Sequence, residues 1–121
     1  MKKIILVLLL LPIVSFATQP VKLTNKDLAG DWKYVVETND AILTGLIKFT
    51  VNQDKLEGTV HDDQGNVFDL FNIVIEDDEL RFELQPEAEV IKVKARLVES
   101  KLVGTVAMQG GEFKLTAEKN S

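Results

Sequence analysis

The nearest approach to a reactive cluster in this chain is His61-Asp62-Asp63, where its one imidazole precedes two carboxylates. Such a trio could share a divalent ion or pass a proton. A second acidic run, Glu76-Asp77-Asp78-Glu79, could offer oxygen ligands to Ca²⁺, but it lacks the alternating ligands and central glycine of an EF-hand loop. Both runs fall where turns are expected, and acidic hairpin tips on an acidic protein are ordinarily solvated. No metal site is expected.

Nucleophilic chemistry is short of parts. The chain has no cysteine, and its serines are Ser15 in an export segment, Ser100 in a tight turn and Ser121 at the end. His61 belongs to the outward face of its strand, so neither a Ser–His nor a Cys–His pair can be assembled. Carboxylate-pair hydrolysis needs two acids facing one cleft. Here the acids lie on turns or outward faces, Asp69 alone being set in a strand of uncertain register. Catalytic residues: none; cofactors: none. The chain is read as non-enzymatic.

What remains is a series of apolar residues spaced by two, the period of strands. Trp32, Tyr34 and Val36 share one face. Leu43, Gly45, Ile47, Phe49 and Val51 follow after a Thr38-Asn39-Asp40 turn, then Leu56, Gly58 and Val60 after Asn52-Gln53-Asp54. Beyond the Asp62–Asn66 turn cluster, the run Val67 to Ile75 changes face: Phe68 and Leu70 continue one side, whereas Phe71, Ile73 and Ile75 fall on the other. A β-bulge near Phe71-Asn72 accounts for the change. Leu80, Phe82 and Leu84 resume the pattern, then Ile91, Val93, Ala95 and Leu97, then Leu102, Gly104, Val106 and Met108, then Phe113, Leu115 and Ala117.

The hexapeptide Lys55-Leu56-Glu57-Gly58-Thr59-Val60 returns as Lys101-Leu102-Val103-Gly104-Thr105-Val106, so two hairpins occupy equivalent places. Eight strands with short connections favour a meander, and closing it removes exposed edges. The expected fold is all-β, an eight-stranded antiparallel up-and-down barrel spanning residues 30–119. Inward glycines at 45, 58 and 104 imply bends or close approach across a narrow barrel. Thr24-Asn25-Lys26-Asp27 fits a capping box and predicts one helical turn within a lead-in at residues 18–29.

Residues 1–17 have the form of a cleavable signal peptide. Lys2 and Lys3 precede the apolar run Ile4 to Val14, and Ser15-Phe16-Ala17 supplies small residues at both positions signal peptidase reads. The run is shorter than the roughly 20 residues of a bilayer span. Cleavage after Ala17 would place the protein in the periplasm or outside the cell, with no stable membrane insertion afterwards. A mature chain of roughly 100 residues is one domain that can fold without disulfides. The net charge of −5 over the whole chain argues against nucleic acid as a partner.

A helical turn, then Gly30-Asp31-Trp32 opening the first strand, then the meander, resembles the lipocalin and calycin group. In that group a Gly-x-Trp opens the barrel and its tryptophan packs across the closed end. The pattern is also similar to small exported bacterial lipocalin-like domains of unassigned role. The chain is shorter than typical lipocalins and lacks their flanking helix, which implies a small cavity. Small exported bacterial protease inhibitors share the barrel and the Gly-x-Trp start, but carry a disulfide absent here.

Two functional expectations follow. In the first, the barrel holds a small apolar ligand at the mouth opposite Trp32, with Trp32, Tyr34, Phe49, Phe68, Phe82, Met108 and Phe113 as the interior residues that meet it. In the second, those residues only fill the barrel, and its loops or N-terminal arm engage a protein partner. An apolar void of roughly 300 Å³, the low end for ligand pockets, separates the two.

Overall fold

A computed structural model describes residues 22–120; the expected signal peptide and cleavage after Ala17 lie outside the described residues. One helical turn, α1 (Asn25–Leu28), leads into β1 (Gly30–Glu37), β2 (Ile42–Asn52), β3 (Lys55–Asp62), β4 (Val67–Asp69), β5 (Phe71–Glu76), β6 (Glu79–Leu84), β7 (Ile91–Val98), β8 (Lys101–Met108) and β9 (Gly111–Lys119). They form one antiparallel sheet in the order β4-β3-β2-β1-β9-β8-β7-β6-β5. The β1–β9 pairing joins the two halves, with Trp32 opposite Lys119 and Val36 opposite Leu115. The result is an up-and-down barrel that is nearly closed.

The expected eight strands are nine. The run Val67 to Ile75, expected as one bulged strand, divides at Leu70. The Leu70 N–H donates to the Gly58 carbonyl at 3.0 Å, and beyond it the chain parts from β3. Asn72 then takes a left-handed φ of 52°, and the register against β6 shifts between Phe71 and Val74. Asparagine tolerates that conformation, so the expected bulge is where the alternation placed it. Its consequence is larger than a kink, because among the described residues β4 pairs only with β3 and β5 only with β6. Covalent continuity, rather than a ladder, closes this side of the barrel.

The face alternation holds along most of the barrel, the exceptions being Leu43 and Val51, expected inward but exposed near the ends of β2. Trp32, Ile47, Phe49, Leu56, Leu80, Phe82, Leu102, Val106 and Leu115 are all buried, and Phe49 and Phe82 meet edge to face at 5.9 Å. Across the β3–β4–β5 seam, Phe68, Leu70, Ile73 and Ile75 pack against this core. The inward glycines mark close approach. A Cβ on Gly45 would stand 2.2 Å from the His61 carbonyl and 2.7 Å from the Tyr34 hydroxyl, so the tyrosine ring lies across that glycine.

The Trp32 end is plugged. Thr24 caps α1 in the expected capping box: its N–H and hydroxyl both reach the Asp27 carboxylate, and the Asp27 N–H returns to the hydroxyl. The far end of that turn leaves carbonyls to satisfy. The Trp32 indole N–H donates to the Leu28 carbonyl at 2.8 Å, and the Lys119 ammonium to that of Asp27 at 3.3 Å. The ammonium also sits 5.3 Å from the centre of the Trp32 ring, within cation–π range. Gly30 opens this arrangement with φ +125°, and a side chain there would meet the Lys119 stem at 2.9 Å.

Candidate functional site

Packing differs sharply between the barrel's two ends. At the plugged end, Trp32 and Phe49 are fully enclosed and Leu28 seals the base. At the other end, an apolar cavity of about 100 Å³ opens between β1, β6, β7 and β8, lined by Tyr34, Leu84, Ile91, Val106 and Met108 over a floor of Phe82. The volume lies well under the roughly 300 Å³ of ordinary ligand pockets. An eight-strand barrel is just wide enough to be filled by side chains or to hold one small ligand, and this one is mostly filled.

The interior residues expected from sequence therefore separate. Tyr34, Phe82 and Met108 come together at the cavity. Trp32 and Phe49 belong to the filled half. Phe68 and Phe113 pack against the core without lining the cavity. Leu43, Leu84, Ile91 and Leu115 line it as well. Their inward alternation was visible in the sequence; their height along the barrel was not.

Tyr34 is the polar handle of the mouth. Burial pushes its phenol above the usual value, and the neighbouring Asp62 and Asp63 carboxylates push it further the same way. The hydroxyl is thus held protonated and can donate. Those same carboxylates make the rim negative, which disfavours an anionic ligand.

The acidic run beside His61 is a turn scaffold. Asp62 accepts from the Asn66 side chain at 3.0 Å and from the Gln64 and Asn66 backbone N–H groups at 3.0 and 2.9 Å. Asp63 accepts from Thr44 at 2.9 Å, and the His61 ring meets the Thr59 hydroxyl at 3.0 Å. Among the described residues, no three His, Asp or Glu side chains converge on a metal position. The Asn66 side chain foremost, then its backbone N–H, hold the Asp62 carboxyl below its usual value. A carboxyl lowered in the folded state adds stability that is complete above the unfolded value near ~3.9 and fades as pH falls through the folded value. The urea midpoint of the native protein should therefore exceed that of Asp62→Asn at pH 6, with the gap shrinking below about pH 4. A gap unchanged down to pH 2 would show that charge plays no part in holding this turn.

A larger depression lies on the barrel wall. Where β3 and β5 part below Leu70, a groove of about 950 Å³ runs from Asn25 to Asp69, with Leu56, Leu70, Ile73 and Ile75 along its floor. Lys55, Glu57 and Asp69 stand at its rim.

No family model matches the chain, and no curated protein does. Among solved structures it is similar to a redesigned β-barrel, mFAP1, determined bound to DFHBI. That likeness covers 80% of this chain and 98% of the other at a TM-score of 0.56 and 13% identity, which establishes a shared barrel fold.

Proposed function

We propose that this chain is an exported, non-enzymatic, lipocalin-like binding module that takes a small, uncharged, apolar molecule into the barrel mouth. The observation that carries the reading is the apolar cavity at the unplugged end, with one protonated hydroxyl at its edge. At about 100 Å³ it falls short of the roughly 300 Å³ of a pocket for a whole ligand, and admits only a ligand of few atoms or the leading end of a longer one. For scale, an apolar cavity of about 150 Å³ stays dry and binds benzene or xenon. The redesigned barrel it resembles was determined with a small molecule bound, which supports a barrel of this kind as a holder.

The test is an NMR titration of the mature protein with indole, benzene and 1-hexanol. Methyl shifts should concentrate on Leu84, Ile91, Val106 and Met108, and Met108→Phe, which fills the cavity, should weaken binding at least tenfold. Shifts that stay absent at millimolar ligand, or an undiminished affinity in Met108→Phe, would rule the mouth out.

The small size of that cavity beside the larger wall groove favours a second reading, a packed barrel that engages a protein.

A further inference from the structure

We propose that the groove between β3 and β5 is a strand-insertion site that takes an extended polypeptide segment of a partner as a tenth strand. This rests on the second reading above and gives it a place and a mode. The occupant's chemistry follows from the backbone on either side. Asn52 and Lys55 flank the two-residue turn Gln53-Asp54 and are paired, so they exchange both main-chain bonds. The next residue, Leu56, must then aim its N–H and C=O away from β2, and so must Gly58. The Leu70 N–H bonded to the Gly58 carbonyl at 3.0 Å confirms that direction.

The same reasoning applies across the gap. Glu76 and Glu79 flank the turn Asp77-Asp78 as a pair, so Ile75 turns its N–H and C=O away from β6 and toward the groove. In the turn beyond it, the Asp77 carbonyl already accepts a main-chain donor, the Leu23 N–H at 2.9 Å. Among the described residues, no strand pairs with β3 below Gly58 on this side, and none pairs with β5 opposite β6.

Two facing sheet edges therefore present main-chain donors and acceptors across one trench. Another main chain, in extended form, supplies matching groups to both. With an apolar floor and a rim of mixed charge, the groove suits a segment whose alternate residues are aliphatic and point inward. Its directions are set as well: β3 and β5 are antiparallel, so an inserted strand lies antiparallel to one and parallel to the other. At about 3.3 Å per residue, four to six residues fill the open stretch. Main-chain bonding makes such binding tolerant of sequence.

The experiment uses the mature chain beginning at Thr18 and a pool of capped hexapeptides with Val, Ile or Leu alternating with Thr, Lys or Glu. Amide hydrogen exchange is followed by NMR at Leu56, Gly58 and Ile75. These amides should exchange freely in the protein alone and slow at least tenfold with peptide. Peptides N-methylated at alternate residues should bind at least tenfold more weakly. The proposal is overturned if the pool fails to bind at 1 mM, if N-methylation changes nothing, or if the shifts map to Tyr34 and Met108. It is equally overturned if the amides are already protected in the free chain, since the chain's own arm would then fill the trench. Capture of a folded partner with these amides unchanged would leave the interaction reading standing and the groove proposal wrong.

Discussion

Replacing Trp32 with alanine is expected to destabilise the barrel by about 3–5 kcal/mol, the range for removing a buried large aromatic. Against a total stability of about 5–15 kcal/mol for a domain, that leaves little. Three losses coincide at this residue. The ring fills the base of the barrel at 1% exposure. Its N–H satisfies the Leu28 carbonyl at the end of α1. Its face holds the Lys119 ammonium, which otherwise ties β9 to the same helical turn. Trp32→Phe separates these parts, because it keeps most of the packing and removes only the donor. That variant should cost about 1–3 kcal/mol, the penalty for one buried polar group left unpaired. Urea unfolding followed by far-ultraviolet circular dichroism reads both. A Trp32→Ala cost below about 1 kcal/mol would mean that the base is not a plug, since even surface changes approach that size.

The second large effect divides the two copies of the repeated hexapeptide. Gly104→Ala should cost about 3 kcal/mol or more, at the upper end for overpacking, and Gly58→Ala about 1–2 kcal/mol. A Cβ at Gly104 would lie 1.9 Å from the Lys94 carbonyl oxygen and 2.6 Å from the Ala95 Cα. Both are main chain of a paired strand and cannot swing aside. At Gly58 the nearest atom is a Leu70 side-chain methyl at 2.8 Å, which can rotate into the open seam, and the main-chain contact, the Lys48 carbonyl oxygen, stands off at 3.0 Å. Alanine also restricts the unfolded chain, which offsets about 0.4–1 kcal/mol in each case. The clash at Gly104 far outweighs that term, whereas at Gly58 the offset takes back a larger share of a smaller clash. Equal urea midpoints for the two variants, or a larger loss at Gly58, would contradict the asymmetry.

That asymmetry also shows what the sequence could convey. Alternation assigns most inward side chains correctly from Trp32 to Ala117, because a half-buried strand has no other way to satisfy a core face and water together; Leu43 and Val51, near the ends of β2, are inward by alternation yet stay exposed. The capping box at Thr24 and Asp27 is legible for a similar reason, its bonds being local. The twin hexapeptides look equivalent because they are equivalent in strand and face. Their difference lies in the partner: Gly104 is clasped by β7, whereas Gly58 stands where a ladder ends.

The division of β4 from β5 was half legible. The face change at Phe71-Asn72 signals a bulge, but a strand's choice of neighbour depends on residues far away in sequence. Leu70 makes its last bond to β3, and Val74 meets Arg81 of β6; nothing local to residues 67–75 records that exchange. The wall groove was invisible for the same reason, being a missing pairing rather than a motif. The mouth was partly legible. Tyr34, Phe82 and Met108 were identifiable as inward, yet their separation from Trp32 and Phe49 depends on height along the barrel, which strand register sets.

The central claim is that one end of this barrel is solid and the other hollow enough to receive an apolar guest. Diffraction from crystals held under xenon pressure tests it most directly, since xenon enters small dry apolar cavities. One xenon site is expected, at the mouth against Leu84, Ile91 and Met108, and it should vanish in Met108→Phe. A barrel with no xenon at the mouth, or with xenon beneath Trp32 and Phe49 instead, would contradict the account.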